Sequence, residues 1–450
     1  MYNREKLINI FYAALKSVDS YDSVRNAISL RDDEIIINGQ ISFKTNNFSR
    51  FIVIGAGKAT APMAQAVEDI FGDRIDDGII IVKYGHTRLL KKIRQIEASH
   101  PLPDASGLKG TESITEILKN ADAETLVICL LSGGASALLV SPAGDITLDD
   151  KMHVTDLLLK AGATINELNA LRKHISGIKG GRLAGLAYPA STVTVILSDV
   201  IGDRLDVIAS GPTVPDSSTF RDAMDVIEKY KLKDKVPDSV FKYIVKGLQG
   251  EIEETPKRDE VFFGHVRNII VGSIRQALAA AVEKAVSLGY KTEILGSDIQ
   301  GDVRDAAEYL AEKAIEWKEI LNNGNKPVCL LSGGETTVTV KGNGLGGRNQ
   351  ELTLAFAMAI KGRKDITMLS AGTDGTDGPT DAAGAIVDGE TVSLAYRHGI
   401  DPAKYLRNND SYNFFKNLDS LSGTHHHLIT GPTWTNVMDM QIILAEAGDK

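Results

Sequence analysis

Six consecutive residues, Cys-Leu-Leu-Ser-Gly-Gly, occur twice in this 450-residue chain, at 129–134 and again at 329–334. In each copy a short apolar run, Thr125 to Leu131 or Pro327 to Leu331, breaks off at Ser-Gly-Gly. That pattern predicts a buried parallel strand that delivers its backbone into a tight turn. Glycine lets a backbone approach a ligand closely, and successive exposed N–H groups make a nest for an anion. Two such units constrain the fold to two α/β halves, each presenting a glycine-rich loop. The expected ligand is a polyanion, a nucleoside triphosphate above all. Two ordinary strand-to-helix turns are the plainer alternative.

The surrounding pattern supports an α/β fold. Residues 4–30 carry apolar positions at helical spacing, enough for two short helices. Strands are expected at 51–54, 78–82, 95–98, 125–131 and 192–197, with helices following near 60–71, 106–120 and 149–171. Strands alternating with helices at this spacing mean βαβ units and a mostly parallel, Rossmann-like sheet. Residues 246–264 are the least patterned stretch and are read as a linker, giving domains at 1–246 and 264–450. In the second domain, strands are expected at 268–271, 291–295, 366–370, 385–387 and 428–430, and helices at 273–287, 302–321, 350–360 and 437–445. The alternation Thr337-Val338-Thr339-Val340 predicts an antiparallel or edge strand, so this sheet should be mixed.

Composition narrows the partners. A net charge of −9 and the lack of any basic stripe argue against nucleic acid. No apolar run approaches a membrane span, and the N-terminus lacks a secretory core. The two cysteines, Cys129 and Cys329, sit at matching strand positions and read as small buried residues, which fits a reducing cytoplasm. An acidic protein that handles anions must gather its cations locally.

Three glycine-rich segments do so. Gly55-Ala56-Gly57-Lys58 follows a strand but has Thr60 where a dinucleotide fingerprint needs its third glycine, and it is not a Walker A loop. What remains is a lysine at a helix N-terminus, where an anion is favoured. Ile175 to Leu183 sets Lys179 and Arg182 among three glycines, next to Arg172-Lys173-His174. Gly344 to Glu351 sets Arg348 at a helix start, and guanidinium is well shaped to clamp a carboxylate or a phosphoryl group. The acidic candidates are Asp199 and Asp203 at a strand end, and Asp374, Asp377 and Asp381 among glycines, most of them expected to be turn residues. His425-His426-His427 cannot all face one site if extended, so no ligand role is assigned.

These segments resemble the glycerate 2-kinase family, the class II glycerate kinases with a leucine-rich C-terminal domain. The resemblance is carried by Gly55–Lys58, Ser99–Asp104, Leu130–Ala137, Arg172–Leu183, Leu197–Ser218, Gly272–Leu278, Ser332–Glu335, Gly346–Glu351, Gly372–Gly384 and Thr430–Met438. Two positions depart from the pattern: Trp434 replaces a usual glycine, and Ser99 stands where Ala-Gly-His is commoner. The resemblance implies transfer of the ATP γ-phosphoryl group to D-glycerate with Mg²⁺ or another divalent cation, in a cleft between two α/β domains. It also implies Lys58 and Arg348 as principal catalytic or substrate-binding residues. On this reading Asp199 orients or deprotonates the hydroxyl. Gly57, Lys58, His100 and Arg348 bind the acid. Ser132, Gly133, Gly134, Ser136 and Lys179, with Ser332, Gly333, Gly334 and Glu335, hold ATP phosphates, and Asp199 and Asp374 supply metal ligands. No nucleic acid or membrane partner is expected, and a homodimer is allowed. The alternatives are an NAD(P)-dependent hydroxypyruvate reductase and a non-catalytic sensor of a nucleotide or sugar acid.

Overall fold

The computed structural model describes residues 2–321 and 326–446. The chain divides into two compact units: Ser20–Val271, and the residues up to Asp19 together with those from Gly272 onward.

The Ser20–Val271 unit opens with the helix Ser20–Ala27, followed by a small antiparallel sheet, β1 (Ile28–Arg31), β2 (Glu34–Ile37) and β3 (Ile41–Lys44), which the sequence reading missed. Its main sheet has six strands: β4 (Arg50–Ala56), β5 (Asp77–Lys83), β6 (Arg94–Ala98), β7 (Thr125–Leu131), β8 (Ser191–Leu197) and β9 (Val266–Gly272). They lie in the order β6-β5-β4-β7-β8-β9, and the β6–β5, β5–β4, β4–β7 and β7–β8 pairings are all parallel. This is the doubly wound Rossmann order. The chain reverses its direction of winding between β4 and β7, and such folds bind ligands beyond the strand ends at that point. Ile52, Ile54, Ile79, Ile81, Val127, Cys129 and Leu131 form the core, which is why these strands read as continuous apolar runs.

The stretch 149–171, expected to be helical, forms two helices, Leu148–Lys160 and Ile165–His174. Thr164 restarts the chain with a capping box closed by Glu167. With the helices Phe220–Lys229 and Asp238–Leu248 they enclose a separate core of Val154, Leu158, Leu171, Phe220, Ile227 and Ile244. The expected linker at 246–264 is tied into this unit. Pro256 O accepts from Asp216 N–H at 2.9 Å, and Glu254 meets His174 Nε2 at 2.6 Å.

The other unit holds a mixed sheet, β10 (Lys291–Asp302), β11 (Val328–Thr337), β12 (Ile366–Gly372), β13 (Gly384–Asp388), β14 (His427–Leu428) and β15 (Asp439–Ala445), in the order β10-β11-β15-β12-β13-β14. Only β10–β11 is parallel among its pairings. Three expectations are corrected here. Residues 338–340 are not a strand, because β11 ends at Thr337. Residues 439–445 form the central strand β15 and not a helix; every residue in it is buried, and an apolar run covered on both faces carries no period to read. The second Ser-Gly-Gly lies inside β11 and makes no turn: Ser332, Gly333 and Gly334 pair with Gln441, Met440 and Asp439. Its glycines serve close packing, since a Cβ on Gly333 would strike Ile274 and one on Gly334 would strike the Ile299 carbonyl.

Candidate active site

Parallel register brings several of the expected residues to one edge of the Rossmann sheet. Ala56 stands opposite Ile81 and Leu131, Leu131 opposite Ile196, and Lys83 opposite Ala98. Just beyond these ends come Gly57-Lys58, Ser132-Gly133-Gly134, Ser198-Asp199 and Ser99-His100. The first Ser-Gly-Gly is a turn, as expected, and it is bolted to the lysine turn beside it. Lys58 N–H donates to Gly133 O at 2.8 Å, and Ala59 N–H donates to Ser132 Oγ at 3.0 Å. Ser132 Oγ also lies 3.0 Å from Thr60 Oγ1. A Cβ on Gly134, where φ is +87°, would sit 2.9 Å from the His100 ring and 3.3 Å from the Lys58 stem. The imidazole, the lysine and the bare backbone of Gly134 are therefore neighbours at the switch point. Gly57 is filled from the protein side, because a Cβ there would collide with Ser132 Oγ.

Ser136 and Lys179 lie in a second, deeper group. Ser136 Oγ is 3.3 Å from Ser210 Oγ, and the buried Lys179 ammonium donates to Ala209 O at 3.2 Å. Asp199 follows β8, two strands from β4, roughly 10 Å across the sheet at the usual strand spacing.

In the other unit Arg348 begins the helix Arg348–Ala359. Asp377 caps that helix, accepting from Asn349 N–H at 3.0 Å and Gln350 N–H at 2.9 Å, and is thereby a structural residue. The Arg348 guanidinium is held on two sides. Asp439 takes Nε at 2.5 Å and Nη2 at 3.0 Å, and Glu335 takes Nη1 at 2.6 Å. Burial works against the Arg348 charge, but the two carboxylates outweigh it and keep the guanidinium firmly protonated. Burial pushes the Asp439 carboxyl above its ordinary range, and Arg348 opposes that rise. Glu335 thus belongs to the arginine; it follows an extended Ser332–Gly334, so the expected second phosphate loop is absent as a turn.

Asp374 folds back on its own turn, accepting from Thr376 N–H and Oγ1 at 3.1 Å each. Asp381 accepts from the Tyr412 hydroxyl at 2.9 Å. His426 is bound to Asp419 at 2.5 Å. Among the described residues no three or more His, Cys, Asp or Glu side chains gather where a metal ion could sit. Asp199 and Asp374 accordingly form no metal centre of their own.

Residues 6–245 match a family described as Domain of unknown function (DUF4147), and residues 328–439 match the MOFRL family. The first match contains Lys58 and the first Ser-Gly-Gly; the second contains Glu335, Arg348 and Asp439. The chain is 41% identical to the glycerate 2-kinase of Pyrococcus horikoshii, over 98% of this chain and 97% of that protein. The chain belongs to the glycerate 2-kinase family. The solved glycerate kinase of Thermotoga maritima shares its fold at a TM-score of 0.84 and 39% identity, covering 99% of this chain and 100% of that one. A protein of Agrobacterium vitis that carries a hydroxypyruvate reductase name is 40% identical over 98% of this chain and 94% of its own length.

For this member of the glycerate 2-kinase family, sequence reasoning missed Asp439 as the clamp of Arg348. The segment Thr430–Met438, singled out for its resemblance, stops one residue short of it. It also gave no role to Asn169, Ser210 and Lys151; Ser210 hydrogen-bonds both Asn169 and Ser136, and Lys151 lies close enough to Lys179 to repel its charge.

Proposed function

We propose that this chain transfers the γ-phosphoryl group of MgATP to the 2-hydroxyl of D-glycerate, releasing ADP and 2-phosphoglycerate. The reading is carried by the switch-point cluster, in which Lys58, His100 and the first Ser-Gly-Gly turn meet beyond the ends of β4, β6 and β7. Phosphoryl transfer asks the protein mainly for positioning and charge neutralisation. Lys58 and His100 would hold the glycerate carboxylate and neighbouring oxygens, while Arg348 would neutralise the migrating phosphoryl group. Asp199 would orient the 2-hydroxyl and take its proton as the oxygen attacks phosphorus and the bond from phosphorus to the ADP oxygen breaks. The divalent ion enters as part of the nucleotide substrate, held mainly by phosphate oxygens, as Mg²⁺ ordinarily is. Asp199 would be the carboxylate that assists it, since Asp374 is occupied by its turn.

The hydroxypyruvate reductase reading rests on the Gly55 turn and on the Agrobacterium relative's name. In a dinucleotide fingerprint the second glycine leaves room for pyrophosphate. Here Ser132 takes that room at Gly57, which favours the kinase.

The test is a coupled assay with ATP, Mg²⁺, D-glycerate and enolase, without phosphoglycerate mutase. Direct appearance of phosphoenolpyruvate is the expected result. Appearance only after mutase is added would mean transfer to the 3-hydroxyl, and NADH oxidation with hydroxypyruvate would mean the reductase. Lys58→Ala should lower kcat/KM by about 10²-fold or more; near-normal turnover would remove Lys58 from the mechanism.

A further inference from the structure

Behind the first Ser-Gly-Gly turn lies a group of cations with no matching acids among the described residues. Lys179 is 1% exposed, and its ammonium donates to Ala209 O. Lys151 is 5% exposed and donates to Arg172 O and Ile175 O, both at 3.3 Å, the carbonyls at the end of the helix Ile165–His174. The Arg172 guanidinium is largely buried and has no hydrogen-bond or ion-pair partner among the described residues. The nearby carboxylates are committed elsewhere: Asp216 to Lys173 at 3.1 Å, and Glu254 to His174 at 2.6 Å. Burial, then the charges of Arg172 and Arg182, push the Lys151 ammonium down to about 7. Burial, then Lys151 and Arg172, push Lys179 well below the usual lysine range.

A second observation points the same way. Asn169 lies three residues before Arg172 on one face of that helix. It is 4% exposed, its Oδ1 accepts from Ser210 Oγ at 3.1 Å, and its Nδ2 has no partner among the described residues. Ser210 in turn reaches Ser136, two residues beyond Gly134. A buried donor and three basic groups without acids cost stability, or the lysines shed their protons, unless something negative answers them. An anion seated against Asn169 Nδ2, Arg172 and Lys179 would do so, and several cations together call for more than one negative charge.

We propose that Asn169, Arg172 and Lys179, with Ser136 and Ser210, form a polyphosphate subsite that holds the nucleotide, on the Ser20–Val271 unit alone. This rests on the kinase reading for its choice of ligand. It replaces the paired Ser-Gly-Gly loops as the means of holding phosphate, since the second copy is a strand.

Isothermal titration with ADP and with inorganic tripolyphosphate tests it, using the full chain and its Arg172→Ala and Arg172→Lys variants. Arg172 has no partner to lose among the described residues, so Arg172→Ala should fold, and relief of repulsion should raise the apo melting temperature. Its affinity for both probes should fall by about 10-fold or more, the scale of one charge-assisted contact. Arg172→Lys should recover part of that loss, and D-glycerate binding should be unchanged. Unaltered probe affinity in Arg172→Ala, a loss that falls on D-glycerate instead, or no binding of either probe by the parent chain would each overturn the subsite. Tripolyphosphate binding through Arg172 without any D-glycerate turnover would retire the kinase reading and leave the subsite standing. Kinase activity with an unchanged Arg172→Ala would do the reverse.

Discussion

Arg348 arrives at its helix start already engaged, with Asp439 across two of its nitrogens and Glu335 on a third. Such a clamp fixes the plane of the guanidinium and leaves little side-chain freedom to be lost when an anion binds. Arg348→Ala should lower kcat/KM by about 10²-fold, and Asp439→Asn by about 10-fold through a misplaced arginine. The double variant should be no worse than Arg348→Ala alone, because the aspartate acts only through its partner; steady-state kinetics of the three variants decide this. Lys151 offers a test of a different kind. Its folded value of about 7 lies below the ordinary 10.5, so across that window the unfolded chain holds more protons. Stability should therefore rise as the pH is raised from about 7 to 10.5. Denaturant titrations of Lys151→Met should lose that contribution to the slope. At this scale the sequence marked Lys58, Lys179 and Arg348 as candidates through the glycines around them. It did not announce Asp439, whose role exists only because β15 lies beside β11 and β12. Trp434, which stands where the family pattern has glycine, does keep a left-handed backbone with φ of +60°, so the departure is a real conformational cost.

Among the elements, the twin Ser-Gly-Gly shows how one hexapeptide takes two structures. In the first copy β7 ends and the glycines turn toward Lys58; in the second, β11 runs on through Thr337. The difference is made by neighbours: β10 and β15 flank the second copy along both sides and supply backbone partners. Gly334→Ala would push a methyl group into the Ile299 carbonyl, and overpacking of this kind costs about 1–3 kcal/mol. A fall in the denaturation midpoint with kinetic constants preserved in the remaining folded protein is expected. The parallel sheet was legible because each βαβ unit repeats a clear switch of period. The short hairpin strands at 28–44 and the fully buried β15 were not, being respectively too brief and too uniformly apolar for periodicity to show.

At the level of the whole molecule, the division of the chain is not the single cut at 246–264 that its patterning implies. The helix Tyr2–Ser17 buries Leu7, Ile10, Phe11 and Ala14 and packs on the helix Ile274–Ser287 and on β15. Lys6 pairs with Glu446 at 3.3 Å, and Thr435 Oγ1 donates to Val18 O at 2.6 Å. Nothing in residues 1–30 names a partner nearly three hundred positions away, so this docking was beyond reach of local pattern. Each of those large apolar side chains is worth about 1.5–3 kcal/mol when buried. A chain lacking residues 1–19 should lose the cooperative melting of the unit built from Gly272 onward, while Ser20–Val271 keeps its own. Calorimetry of the truncated protein would show one transition lost and one retained.

That early helix sets a timetable for synthesis. It is made before the Ser20–Val271 unit, whereas the surface it must cover is made after that unit, so Leu7, Ile10 and Phe11 stay uncovered in between. The Rossmann sheet can close in the interval without it. Folding of the second unit then waits on a return to a segment made long before it, and holdase chaperones should find a long-lived target in the helix Tyr2–Ser17 of the nascent chain.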